Sequence, residues 1–428
     1  MTSRLASKGG HTEAFVWIWL PHETEPVVAG LLTKAGKQLQ FNYGRSYLER
    51  KNAIAFYDPE LPLEAGEIPL QEGLSMPGCI RDASPDAWGR RVLINCKLGL
   101  TGAEASGAEL DELTYLLESG SDRIGALDFQ VSAKHYAPRV GDRATLEGLM
   151  RSAERVEKGI PLEADLDNAL QHCASVGGAR PKALVDAEGR KFIAKFSTST
   201  DLFNEIKAEF IAMRLARLAS LDVATVRLAR ALGKDVLLVE RFDRERMGNG
   251  WLRKPIVSAL TMLGLDERMA KYASYEDLAE IIRHRFTNPA ATLREVFGRI
   301  VFNILCGNTD DHARNHAAYW DGEHLTLTPA YDVCPQPRTG HETSQAMLIA
   351  GDNRMSQLRV CLDAAPRFLL DTERAKAIIE RQVRVICENW KGVCGEAQLT
   401  EAERQYLWRR QFLNPSVFVG APAEIGGV

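Results

Sequence analysis

β-Forming residues cluster first. In "AFVWIWLPHETEPVVAGLLTKAGKQLQFNYG", residues 14–44, Val, Trp, Phe and Tyr gather between Pro and Gly breaks, which predicts two or three strands joined by turns. "SPDAWGRRVLINCKLG" predicts a helix, with Ser84 as cap, Pro85 at the first helical position and Gly99 at the exit. "LDELTYLLES" predicts a second, short helix. Residues 1 to about 140 are expected to form a small α+β unit.

The pattern changes from about residue 165. "KALVDAEGRKFIAKFS" predicts a hairpin turning at Asp186–Gly189. "LFNEIKAEFIAMRLARLASL" spaces Phe203, Ile206, Phe210, Met213 and Leu215 for one helix face. "VATVRLARALGKDVLLVERFDR" supplies two more strands around Gly233. From about 256 the chain is mostly helical, interrupted at "CGNTDDHARNH" and "HLTLTPAYDV". The expected architecture is α+β and two-lobed: 1–140 a small N-terminal α+β subdomain, 141–255 a strand-rich lobe, 256–428 a helical lobe, with a cleft between the lobes.

A chain of 428 residues has room for two to three such units. Its 45% hydrophobic and 26% charged shares are those of an ordinary globular protein, and no apolar run is long enough to span a membrane. The start, "MTSRLASKGGHTEAF", lacks the apolar core of a signal peptide. The net charge of −4 offers no basic surface for nucleic acid. Eight cysteines are scattered without a C-x-x-C pair, so reduced, mostly buried thiols in a cytoplasmic protein are expected.

The candidate chemistry lies in four stretches. In "SVGGARPKA", residues 175–183, two glycines let backbone N–H groups approach an anion, and Arg180 and Lys182 add positive charge; a plain Gly-Gly turn has the same sequence. Lys195 sits in an otherwise apolar strand. Facing outward it is merely solvated; facing inward it needs an anion, for which Glu205 is the candidate. "LLVERFDR", residues 237–244, is either a strand exit or a hinge whose backbone meets a base edge. Asp310 and Asn315 stand in a D-x-x-x-x-N spacing, and Asp332 follows a short strand-like run. Two carboxylates and an amide suit Mg²⁺. His312 and His316 find no third ligand of matching type, which argues against zinc. A strand lysine, a helix glutamate, D-x-x-x-x-N and a later aspartate come in the order that protein kinases use.

Together "SVGGARPKA", "IAKF", "FNEIKAEF", "LLVERFDR", "NTDDHARNH" and "LTPAYDV" make the chain resemble the HipA family of serine/threonine kinases, the toxins of type II toxin–antitoxin modules. The likeness runs over most of the chain and implies a kinase-like fold. It also implies ATP- and Mg²⁺-dependent phosphorylation of a protein serine, with an aminoacyl-tRNA synthetase, the glutamyl enzyme first, as target, and growth arrest or persistence as outcome. On the matching positions, Asp310 is the catalytic base, and Asn315 and Asp332 hold Mg²⁺. Gly177, Gly178, Ala179, Arg180, Pro181 and Lys182 cover the ATP phosphates, and Lys195 contacts them. Glu240, Arg241 and Phe242 form the adenine hinge, and His312, Ala313, Arg314 and Asn315 complete the nucleotide contacts. Ser175 matches an autophosphorylation serine whose added charge would push the loop outward and inactivate the enzyme. The family also implies a HipB-like helix-turn-helix antitoxin, with operator DNA reached only through it and no membrane. Pro181 departs from the family's pattern and stiffens the loop. Two alternatives stay open: a small-molecule or lipid kinase of the same fold, and a non-catalytic co-repressor working with a DNA-binding partner.

Overall fold

The β-forming residues near the N-terminus become three strands, β1 (Glu13–Ile18), β2 (Val27–Ala35) and β3 (Gln38–Tyr43). A fourth, β4 (Leu127–Gln130), completes an antiparallel sheet of order β3-β2-β1-β4. The structure is a computed structural model that describes residues 10–101, 104–105, 107–141, 144–160, 178–338, 340 and 342–425. The chain divides into two units, Met1–Gly189 with Asp243–Ile256, and Arg190–Phe242 with Val257–Val428. The segment 141–255 is therefore shared between them.

In the first unit, helix α1 (Ala87–Leu98) begins later than the sequence suggests. Asp86, not Ser84, holds the N-cap position in an extended conformation, so Pro85 precedes the helix instead of opening it. Gly99 closes the helix in the left-handed region, as the sequence predicts. Helices α2 (Glu112–Glu118) and α3 (Leu146–Glu157) and strand β5 (Lys182–Ala187) follow. Strands β9 (Arg244–Met247) and β10 (Gly250–Arg253) belong here for a visible reason. The buried Arg244 donates to Gly125 O at 2.9 Å and to Asp122 Oδ1 at 3.1 Å, while Gly125 N donates to Asp243 Oδ2 at 2.9 Å.

Glu188 and Gly189, both at positive φ, form the turn after β5. In the second unit β6 (Arg190–Phe196), β7 (Val226–Ala231) and β8 (Lys234–Glu240) form antiparallel pairs with β8 between the other two. Lys195 lies opposite Leu237 in that register. Helix α4 (Glu205–Leu218) packs on β7 and β8. Strand β11 (Ile256–Ser258) carries the chain from one unit into the other. Then come α5 (Tyr275–Arg285), α6 (Pro289–Cys306), the β12 (Ala317–Trp320) and β13 (Leu325–Leu327) hairpin, α7 (Leu358–Ala364), α8 (Thr372–Glu396) and α9 (Glu401–Leu407). From Val296 to Cys306 every residue of α6 is buried, so this apolar helix forms the floor on which the polar run after it stands. The fold is mixed α+β, as expected.

No helix among the described residues is long and apolar enough to cross a membrane. The described cysteines are all free thiols. Cys173 lies outside the described residues.

Candidate active site

Lys195 faces inward. Its Nζ donates to Glu209 Oε1 at 2.5 Å and also to Asp332 Oδ1. The partner on α4 is therefore Glu209 and not Glu205. The helix starts at Glu205, and the carboxylate that reaches β6 stands one turn further along. Burial alone would lower the Lys195 pKa; the Asp332 and Glu209 carboxylates outweigh it and hold the ammonium above the ordinary lysine value.

The polar run begins where α6 must stop. Gly307 ends the helix at φ +75°, and a Cβ there would lie 2.7 Å from Gln411 O, so both backbone conformation and space demand glycine. Behind the turn, Asn308 ties three segments together. Its Nδ2 donates to Asn303 Oδ1 at 2.9 Å and to Asp332 O at 3.5 Å, and its Oδ1 accepts from Asp310 N at 3.3 Å. The two aspartates that the sequence puts 22 residues apart thus share one amide as a brace.

Asp310 and Asp311 have opposite environments. Asp311 is buried, and its Oδ2 accepts from Asn303 Nδ2 at 2.7 Å, from His316 Nε2 at 3.0 Å and from the Tyr275 hydroxyl. Burial would raise its pKa, but His316 and Tyr275 hold it below the usual carboxylate range. Asp311 and His316 are thus each other's partners in the buried interior. Asp310 is exposed, yet partial burial of its carboxyl raises its pKa, and the charges of Asp332 and Asp311 add to the rise against the opposing His312. Asn315 Nδ2 donates to Asp310 O at 3.2 Å, which turns its amide toward the same loop. Asp332 itself adopts φ +60°, a left-handed conformation uncommon for a residue with a Cβ.

His312 leads into a short 3-10 turn, Ala313–Asn315, and Asn315 N donates to His312 O at 2.8 Å. Arg314 donates to Glu267 Oε1 at 2.8 Å. At the end of β8, Glu240 accepts from Arg190 at 3.0 Å and Arg241 N donates to Lys191 O at 2.9 Å. Phe242 O accepts from the Tyr319 hydroxyl at 3.1 Å, and its ring lies 5.5 Å from that of Tyr331. The second unit therefore brings Lys195, Asp310, Asn315 and Asp332 onto one polar network.

Gly178, Ala179, Arg180, Pro181 and Lys182 belong to the first unit. Gly178 stands at φ +106°, and the Lys182 ammonium occupies the space where its Cβ would be. Gly178 N donates to Asp86 Oδ2 at 2.5 Å and its O accepts from Trp88 N at 3.2 Å. Trp88 Nε1 donates to Lys182 O at 3.1 Å, so the start of α1 grips the loop at both ends. Ser175 and Gly177 lie outside the described residues.

Residues 174–390 match the model of the HipA-like C-terminal domain, and residues 23–130 match that of the HipA N-terminal domain. The serine/threonine-protein kinase toxin HipA of Shewanella oneidensis is 27% identical over 186 residues, 37% of this chain and 42% of that protein. A protein of Sinorhizobium fredii provisionally named as a kinase, Y4mE, is 31% identical over 147 residues, 33% of each chain. The aligned stretches thus span less than half the length of the curated relatives. Among solved structures, the Shewanella oneidensis HipA, HipB and operator DNA complex contains a chain with the same fold. Its TM-score is 0.68 at 20% identity, over 95% of this chain and 96% of that one.

Proposed function

Because the chain belongs to the HipA family, we propose that it is an ATP-dependent serine/threonine protein kinase and the toxin of a toxin–antitoxin pair. The observation that carries the proposal is the double engagement of Lys195 by Glu209 and Asp332. A lysine fixed by a helix glutamate and drawn to a second carboxylate is the arrangement that places an ammonium against nucleotide phosphates.

In the proposed reaction Asp310 accepts the proton of a serine hydroxyl as that oxygen takes the γ-phosphoryl group, and ADP leaves. The raised pKa of Asp310 suits a group that must take a proton. Lys195 steadies the phosphates. Glu240, Arg241 and Phe242 hold the base, with His312, Ala313 and Arg314 beside it. The loop from Gly177 to Lys182 covers the phosphates. The donor set of Asp332, Asn315 and the nearby Asp310 fits a hard divalent cation: the Asn308 amide joins the Asp310 and Asp332 segments, Asn315 bonds to Asp310 O, and all the donors are oxygens. Mg²⁺ bound there would neutralise phosphate charge, with Asn315 and Asp332 as its protein ligands.

The acceptor proposed is an aminoacyl-tRNA synthetase, the glutamyl enzyme first, so that phosphorylation halts translation and arrests growth. Self-phosphorylation at Ser175 would switch the enzyme off. A helix-turn-helix antitoxin like HipB is the proposed partner, since a related fold is seen with HipB and operator DNA. With a net charge of −4, this chain is proposed to meet DNA only through that partner.

The test is radiolabelled ATP with wild-type protein, the Asp310→Asn variant and whole lysate. A labelled protein band that vanishes with the variant supports the proposal. Label confined to small molecules, or an unchanged band with the variant, overturns it.

A further inference from the structure

The 3-10 helix Glu267–Tyr272, in the second unit, has no buried residue. At three residues per turn its positions fall into three edges. Glu267 and Ala270 form the first, Arg268 and Lys271 the second, Met269 and Tyr272 the third. The first edge is tied to the candidate active site. Glu267 Oε1 accepts from Arg314, which directly precedes Asn315 in the loop that begins at Asp310. The other two edges stand in solvent. Arg268 and Lys271 are exposed, and Met269 and Tyr272 leave 46% and 53% of their surfaces open. Two large apolar side chains, one above the other on a single edge, gain nothing from the core.

The carboxylates of this segment are already engaged. Asp266 caps the helix, its Oδ1 accepting from Arg268 N at 3.0 Å, and Glu267 takes Arg314. The cations are not so matched. The Lys271 ammonium lies 4.9 Å from the centroid of the Tyr272 ring. Arg354 reaches in from a neighbouring turn and donates to Lys271 O and, at 3.0 Å, to Ala346 O. Those carbonyls fix the guanidinium without cancelling its charge. Among the described residues, Arg268, Lys271 and Arg354 have no carboxylate partner. The helix thus carries three positive charges beside an exposed apolar edge, and it is anchored to the loop that holds Asp310.

We propose that Arg268, Met269, Lys271, Tyr272 and Arg354 form a docking surface for an acidic segment of the protein acceptor, with its carboxylates on the cations and an apolar side chain against Met269 and Tyr272. A serine brought to Asp310 brings its flanking residues to this loop, and the helix tied to the loop by Glu267 is there to receive them. Opposite charge steers the segment in and selects against basic competitors. A nucleic-acid strand would find three cations here on a chain of net charge −4, whereas a peptide also uses Met269. The acceptor role rests on the kinase function proposed above. Binding of an acidic segment does not.

The test uses the full chain and two fluorescein-labelled peptides of equal length. Each has one serine flanked on both sides by leucine and by either glutamates or lysines. Fluorescence anisotropy should show that the wild type prefers the glutamate peptide and that salt weakens this binding. One exposed charge pair is worth little, so both cations are reversed together. Arg268→Glu with Lys271→Glu should weaken binding of the glutamate peptide about tenfold and strengthen that of the lysine peptide. Both positions are exposed, so this variant should keep the wild-type melting temperature. Equal binding of the two peptides by the wild type, or an unchanged preference in the variant, overturns the docking surface. So does tighter binding of a single-stranded oligonucleotide with the same net charge as the glutamate peptide. In phosphorylation assays the double variant should raise the KM for the glutamate peptide about tenfold and leave the KM for ATP unchanged. Binding without that shift in KM overturns the acceptor role. Failure of the wild type to label any protein or peptide from ATP overturns the kinase function, while anisotropy still decides the docking.

Discussion

Lys195 and Asp332 stand 137 residues apart in the chain and meet through Nζ and Oδ1. The contact ties the strand lysine to the carboxylate proposed to hold the metal, and Glu209 anchors the same ammonium from the other side at 2.5 Å. A buried cation with two anionic partners is stable only while both remain.

Replacing the glutamates separately tests which one matters. Glu209→Gln should lower kcat/KM for ATP-dependent phosphorylation about a hundredfold, because the lysine loses its fixed position. Glu205→Gln should cost far less in the same assay. The reverse order would assign the pairing to the start of α4.

Asp310→Asn should reduce kcat by about 10²–10⁴, the contribution of a positioned base. It should also stabilise the fold. The native pKa of Asp310 is raised, so its contribution to stability is present at low pH and lost as pH rises through that value. The melting temperature of the variant should therefore exceed that of the wild type by a margin that widens from about pH 4 to pH 7. A margin that narrows instead contradicts the burial and repulsion assigned to this carboxyl.

The strand lysine, the D-x-x-x-x-N spacing and the later aspartate are legible as residue types at distances along the chain, and the structure gathers Lys195, Asp310, Asn315 and Asp332 within one unit. What the chain does not advertise is phase. Glu205 and Glu209 differ by one helical turn, and only the start of α4 after Asn204 decides which carboxylate meets β6. The same holds for the adjacent aspartates. Nothing in "TDDH" says that the second turns inward, because its partners Tyr275 and Asn303 come from other helices. His316, five residues on, is the one local hint. Asn308 carries no signal at all, since an asparagine after a helix-ending glycine is ordinary turn chemistry. Strand types survive such uncertainty better, because Val- and Leu-rich runs such as "VLLV" in β8 have few other places to go.

Asp311→Asn should destabilise the chain by about 3–5 kcal/mol in urea denaturation at neutral pH, since buried donors lose their charged acceptor. The native pKa of Asp311 is lowered, so its contribution is complete above the ordinary carboxylate value and disappears as pH falls through the native one. The gap between variant and wild type should therefore shrink below about pH 4. A gap independent of pH would mean that shape, not charge, is what the pocket recognises.

Gly178→Ala should cost about 1–3 kcal/mol, because an alanine is strained at φ +106°. Its methyl group would also displace the Lys182 ammonium lying over the glycine. The expected kinetic result is a higher KM for ATP with a smaller change in kcat. An unchanged KM would remove Lys182 from nucleotide binding.

The first unit takes back Asp243–Ile256 after the chain has already laid down Arg190–Phe242 for the second. During synthesis, at roughly 5–20 residues per second, the ribosome must deliver residue 244 before Arg244 can reach Gly125 and Asp122, and residue 256 before the first unit is complete. Lys195 and Glu209 have by then emerged, while Asp310 and Asp332 have not. The nascent chain thus finishes the unit that carries the Gly178 loop before it holds the proposed base, Asp310, or the proposed metal carboxylate, Asp332. An enzyme proposed to poison its own cell would stay harmless until nearly four-fifths of it had been made, because residue 332 of 428 is the last of its reactive groups.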